Sequence, residues 1–319
     1  MPYWNIVTRS FRISWNHKYL WLIALFAGEG GGGYNFSFNQ GTSNNGRPPD
    51  VSAIQQQVTT WLADHVALIV VLAVIWLLLL IGLFIIGAVC EGATVRAAAE
   101  HDAERPFGLA WAWRSGVATM WVIVRFRLLI VALGLPLFLL FAGLVIGFIV
   151  AVMNQSGGAI VTMVVLALLL AVVGIPYVIY LSFLDRLGAR AAVLEQLMAR
   201  PALVRGHRLL RKRLGRSLLV WLVSIVVSIV LGIVLACFLA IFLVPLFLAG
   251  AGLVATKSAA LAPFVVLGAL VLVPLSLIVG GFIAAQGSTY WTLAFRRLDL
   301  EYAPSTRLQY QPPPPQATA

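Results

Sequence analysis

Between Arg127 and Asp185 the chain runs for 57 residues, 128–184, without one Asp, Glu, Lys or Arg. A helix of a water-soluble domain turns a polar face to solvent, and a run of this length leaves no such face. Lipid is the solvent it requires. A helix crosses the ~30 Å hydrocarbon layer with ~20 residues, so this run holds two spans. The turn signal Asn154-Gln155-Ser156-Gly157-Gly158 divides them.

Three further runs follow the same logic. Val66 to Cys90 is an uncharged stretch of 25 residues closed by Glu91, and Ser217–Thr256 and Ser258–Phe295 are separated only by Lys257. The composition agrees: 61% hydrophobic, 10% charged and a mean hydropathy of +0.97, where a soluble domain carries roughly a quarter charged residues. The first apolar segment is shorter. Tyr19–Gly28 offers ten residues before Glu29 and a glycine tract. Basic residues precede it as in a signal peptide, but Leu25 and Phe26 stand where a cleavage site needs small side chains, so we read an uncleaved thin or tilted span.

Charge placement gives a direction. With the N-terminus inside, 20 of the 22 Lys and Arg fall on inner segments, and only Arg47 and Lys257 lie outside. The positive-inside rule therefore places both ends in the cytoplasm. The same distribution argues against nucleic acid as the reason for the net charge of +11, because the basic residues flank apolar spans and no binding motif accompanies them.

An internal repeat organises the spans. Glu100-x4-Arg105-Pro106 and Glu195-x4-Arg200-Pro201 lie 95 residues apart, each followed by an aromatic or His before Arg (Trp113-Arg114, His207-Arg208). The expected fold is all-α: a polytopic transmembrane bundle of about six spans in three hairpin repeats, with amphipathic interfacial helices on the cytoplasmic side. The units are 1–100, 101–195 and 196–303, forming one membrane domain, and 304–319 is a disordered Pro-rich tail. On the N-terminal helix Trp4, Val7, Phe11 and Trp15 share a face, and in the third unit Leu187, Ala191, Leu194 and Met198 make a stripe.

Three sets of residues stand out as candidate sites. Small residues recur every fourth position at Ser224, Ser228, Gly232, Ala236 and Ala240, and again at Ser276, Gly280, Ala284 and Ser288, a pattern that lets helix backbones approach. Pro136, Pro176, Pro245 and Pro274 sit inside spans, where each frees a carbonyl and bends its helix, opening a cavity or simply being tolerated. Arg205, Arg208, Arg211, Lys212 and Arg213 form a basic cluster that would attract anionic headgroups or fix topology.

Chemistry is sparse by comparison. His17, His65, His101 and His207 are scattered without metal-ligand spacing, and Cys90 and Cys237 fall in apolar runs. Asp64-His65 and Cys90-Glu91, at the two ends of one span, are the best polar candidates, with helix capping as the plainer explanation. The glycine tract lacks the lysine and helix of a phosphate cradle. We expect no metal, no cofactor and no enzymatic activity.

The segments Trp15-Asn-His-Lys18-Tyr-Leu-Trp21, Arg205-Gly-His-Arg-Leu-Leu-Arg211 and Tyr290-Trp-Thr-Leu-Ala-Phe-Arg296-Arg-Leu-Asp299 form a layout. It resembles poorly characterised bacterial multi-span proteins related to the membrane domain of glycerophosphodiester phosphodiesterases. The resemblance implies a non-catalytic domain of a bacterial inner membrane, and no functional residue carries over. The leading expectation is thus a scaffold or accessory subunit in contact with anionic lipid and with other subunits or itself. A transporter or channel for a small or lipidic solute is the alternative, resting on the repeats and the prolines.

Overall fold

The computed structural model describes residues 3–27, 61–62, 65–256 and 262–300, and these are helical almost throughout. The eight helices they form are α1 (Tyr3–Asn16), α2 (Tyr19–Ala27), α3 (Val66–Asp102), α4 (Leu109–Met153), α5 (Gly157–Leu194), α6 (Ala199–Lys212), α7 (Leu214–Thr256) and α8 (Ala262–Leu300). The glycine tract, Asp64, Lys257 and the Pro-rich tail lie outside the described residues.

Five helices, α3, α4, α5, α7 and α8, are long and apolar enough to cross a membrane, and the chain is an integral membrane protein of the helical-bundle class. Their lengths of 37 to 45 residues correspond to ~55–68 Å of helix, about twice the hydrocarbon layer. Each is therefore long enough to cross the layer and continue beyond it.

Burial follows that division in the reverse of a soluble fold. The most apolar stretches are bare: in α3 every residue from Val70 to Ile81 is exposed. In the same helix Gly87 to Val95, Ala97, Ala98 and Glu100 are buried. The core lies where hydropathy is lower, because the exposed stretches have lipid as their solvent and gain nothing from mutual contact. It gathers the last turns of α3, α5 and α8 and the first of α4 and α7 into a base, with α1, α2 and α6 packed around it.

Small residues make the base close-packed. A Cβ on Gly116 of α4 would lie 2.2 Å from the Val89 carbonyl oxygen of α3, and one on Gly92 would lie 3.3 Å from the Gly116 Cα. Gly188 of α5 meets Gly206 of α6 in the same way, a Cβ on Gly206 standing 3.1 Å from the Gly188 nitrogen. At the third crossing a Cβ on Gly281 of α8 would come within 2.5 Å of the Trp21 carbonyl oxygen of α2. The three crossings thus bring α3 against α4, α5 against α6 and α8 against α2. The last of these joins the final described helix to the N-terminal helices.

Polar contacts seal this closure. Buried Gln286 Nε2 donates to Ser10 Oγ at 3.3 Å, and Ser14 Oγ to Thr289 Oγ1 at 3.4 Å. Asp102 ties Arg9 of α1 (2.6 Å) and Arg296 of α8 (2.5 Å) to the end of α3. Phe11, Trp15 and Trp21 each lie within 6.0 Å of Phe282, ring centroid to ring centroid.

Two expectations differ from what the helices do. The buried face of α1 is Ile6, Val7, Ser10, Ile13 and Ser14, while Trp4 and Trp15 stay largely exposed. Serines at the contact let α1 approach α8 closely, whereas the tryptophans suit an interface of half-wet, half-apolar character. Separate basic helices also occur in only two of the three units. α1 and α6 break from the following helix at His17-Lys18 and Arg213, but the corresponding segment of the second unit runs straight into α4.

Candidate functional site

The charged residues that close the apolar runs in the sequence meet in space. Glu91 ends one run and Arg127 begins the next, and their side chains pair at 2.5 Å with Glu91 almost fully buried. Arg127 also donates to the Ala27 carbonyl at 2.7 Å, which ties the end of α2 to the pair. Asp185, the end of the 57-residue run, and Arg186 and Arg190 stand across from them on α5. Together with Ser182 of α5 and Trp291 of α8 they line a cleft of about 350 Å³.

Its walls are graded. On the side of the apolar stretches lie Phe84, Ile130 and Val131; on the side of the base lie the charges. Arg186 stacks over the Trp291 ring at 4.8 Å from its centroid, a cation–π contact. Arg190 is buried and donates to the Arg186 carbonyl at 2.6 Å. Among the described residues the buried indole Nε1–H of Trp291 has no hydrogen-bond acceptor. Three guanidiniums and two carboxylates thus gather at the edge of the apolar stretches.

Of these residues only Glu91 was legible as a candidate. The others served as run boundaries, and the missing step was that antiparallel helices of similar span place successive boundaries at one depth.

The basic cluster of α6 divides. Arg208, Arg211 and Lys212, with Val204 and His207, line an open groove of about 580 Å³ on the outer face of the base. Arg205 instead turns inward, to Glu195 at 3.1 Å and to Asp299. Arg213 forms the break between α6 and α7. Asp299 thus joins α8 to α6 as Asp102 joins α3 to α1 and α8.

The small-residue series also divides. On α8 Ala284 and Ser288 are buried, with Ser288 Oγ 3.5 Å from Thr94 Oγ1, and Ser276 and Gly280 are half-buried. On α7 the half-buried face includes Val223, Val227, Leu231 and Leu235; Ser224 is half-buried, while Ser228, Gly232, Ala236 and Ala240 are exposed. Nothing lies within 4 Å of a Cβ built on Gly232.

Pro136, Pro176, Pro245 and Pro274 each sit inside a helix that continues past them. At the first two the helices touch: a Cβ on Gly174 would lie 3.4 Å from Leu137, and Tyr177 Oη donates to the Leu133 carbonyl at 2.7 Å. The clefts described here have no proline in their walls.

The histidines separate by position. His65 stacks on Trp61 at the far end of α3. His17 and His101 stack face to face at the base, centroids 3.5 Å apart, beside a cleft of about 420 Å³ that Arg9, Arg12 and Arg297 also line. Tyr19 Oη lies 2.6 Å from His101 Nε2. Ten residues past Glu91, His101 is ~15 Å beyond the apolar stretch. Burial, with the charge of His17 as the lesser cause, holds its pKa down to about 4, and burial lowers that of His17. Among the described residues no three His, Cys, Asp or Glu side chains are placed to hold a metal ion.

Residues 7–302 match a family of unknown function, DUF7544. No curated protein and no solved structure matches the chain.

Proposed function

The chain belongs to the DUF7544 family of unknown function, and we propose that it is a non-enzymatic scaffold or accessory subunit of a bacterial inner-membrane assembly. The observation that carries this reading is the outward face of α7. Ser228, Gly232, Ala236 and Ala240 point away from the residues that α7 turns to its own chain, and small residues at this spacing admit a second helix at close range. Lipid would fill the face equally well by area, but lipid does not need four-residue periodicity.

The base faces the cytoplasm in this proposal. Every described Lys and Arg lies at the base end, the three others being Arg47, Lys257 and Arg307. The exposed Arg208, Arg211 and Lys212 then stand at the inner leaflet, where each basic residue adds ~1 kcal/mol of attraction to anionic lipid. The expected thin span over Tyr19–Gly28 is packed in the base as α2, with Ala27 level with Gly87, and 28–60 lies outside the described residues.

Transport is the lesser reading, since the helices touch at Pro136 and Pro176. Purification of the full chain from its native membrane with and without Gly232→Leu tests the scaffold. Gly232 is exposed and touches nothing, so the variant should fold while losing its co-purifying subunits or its self-association. A wild-type chain that stays monomeric under mild detergent and native-membrane extraction would refute the reading.

A further inference from the structure

The cleft between α3, α4, α5 and α8 is not needed for scaffolding, and its chemistry points to a ligand of its own. We propose that it holds the phosphodiester headgroup of a single anionic phospholipid, drawn sideways from the inner leaflet. This inference is independent of the α7 face and requires only that the base sit at the membrane boundary.

Depth comes first. Glu91, Arg127 and Asp185 each mark the end of an apolar run, so the cleft lies where hydrocarbon gives way to headgroups. Charge comes second. Arg127, Arg186 and Arg190 face Glu91 and Asp185, which leaves a formal excess of one positive charge, the complement of one phosphodiester. Glu91 is engaged by Arg127. Polarity comes third: Ser182 and the Trp291 ring, with Arg186 stacked over it, line the same cleft as the charges and give its floor a polar, aromatic wall.

The grading of the walls separates a lipid from a free phosphate. A soluble anion would use only the floor, whereas Phe84, Ile130 and Val131 continue the cleft into the apolar layer, where a glycerol backbone and the first acyl carbons would lie. The gradient runs in the order a phospholipid presents. Its size, about 350 Å³, accommodates a headgroup and not a whole lipid, so the chains would stay among the exposed helices.

The test is native mass spectrometry of the full chain in detergent, titrated with dioleoyl phosphatidylglycerol, dioleoyl phosphatidylcholine or inorganic phosphate. The expected result is one phosphatidylglycerol bound at least tenfold more tightly than phosphatidylcholine, with no adduct of inorganic phosphate at matched concentration. Arg186→Ala should weaken that one site at least tenfold. Val131→Trp, which leaves every charge in place and fills the apolar wall, should do the same and guards against misfolding of the arginine variant. Charge reversal of Arg208 and Arg211 should reduce weak, multiple lipid adducts without touching the single one. Equal affinity for the two lipids, retention of the tight site in Val131→Trp, or displacement of lipid by equimolar phosphate would overturn the proposal.

Discussion

At the scale of single residues, the buried ion pair and the glycine contacts set the sharpest expectations. Removing one partner of a buried pair strands the other, so Glu91→Ala should cost about 3–5 kcal/mol, read as a large fall in the unfolding midpoint of the detergent-solubilised protein. Gly116→Val should cost ~1–3 kcal/mol by forcing α3 and α4 apart, because the obstacle is a backbone carbonyl that cannot turn aside. Gly143→Ala, with nothing within 4 Å, is the matched control and should fall within ~0.5 kcal/mol of wild type. His101 gives a pH dependence. Its folded pKa of about 4 lies below the ordinary 6.5, so the unfolded chain takes up the proton first. The stability held by the neutral ring is complete above ~pH 7 and lost as pH falls from 6.5 toward 4. The groups around it are His17, Tyr19, Arg9, Arg12, Glu104 and Arg297. A thermal-melt series in which His101→Phe flattens that slope would establish the source; an unchanged slope would exclude it.

At the scale of elements, the sequence located the apolar stretches well because exclusion of charge is a property of each stretch alone. What it did not reveal was their continuation. Ala93, Ala97 and Ala98 carry no charge and little hydropathy, so nothing in the sequence distinguishes a helix that ends at Glu91 from one that runs on to Asp102. The face of α1 was misplaced for a related reason: aromatic periodicity was visible, but the contact with α8 is made through Ser10 and Ser14, whose partners Gln286 and Thr289 lie more than 270 residues away. Glu91 was noticed and its cleft was not, since the convergence of run boundaries depends on how hairpins stack. One hydrogen bond offers a test at this scale. Tyr290 Oη donates to the Val220 carbonyl at 2.8 Å, holding α7 against α8 where both join the base. Tyr290→Phe should cost about 1 kcal/mol and raise proteolytic cleavage near the α6–α7 break at Arg213; unaltered cleavage would show that the helices are held by packing alone.

At the scale of the whole molecule, the three glycine crossings join successive units, and the last joins α8 to the N-terminal unit. The first unit is therefore held by contacts as well as by the chain. Co-expression of 1–60 with 61–319 should yield a complex that co-purifies, because Asp102, Gln286 and Thr289 all bind α1 across the cut. The 61–319 fragment alone should be poorly extracted, with the polar groups that α1 covers left in an apolar setting.

The bare apolar stretch of α3 above its buried root has a mechanical consequence. The apolar stretches of α3 and α5, 66–90 and 157–184, are ~38–42 Å long, more than the ~30 Å of hydrocarbon they cross. Each must lean, by up to ~40°. Helices clamped along their whole length could lean only together, by rearranging every layer of their contacts. Here α3 is bare from Val70 to Ile81 and clamped at its root, while α5 touches α4 at Gly174–Leu137 and Gly147–Met163 and leans with it as one hairpin. A thinner bilayer can thus fan α3 away from that hairpin while the crossings at Gly92, Gly188 and Gly281 stay as they are. Bilayer thickness is then absorbed by the free ends, and the geometry of the charged cleft is insulated from it.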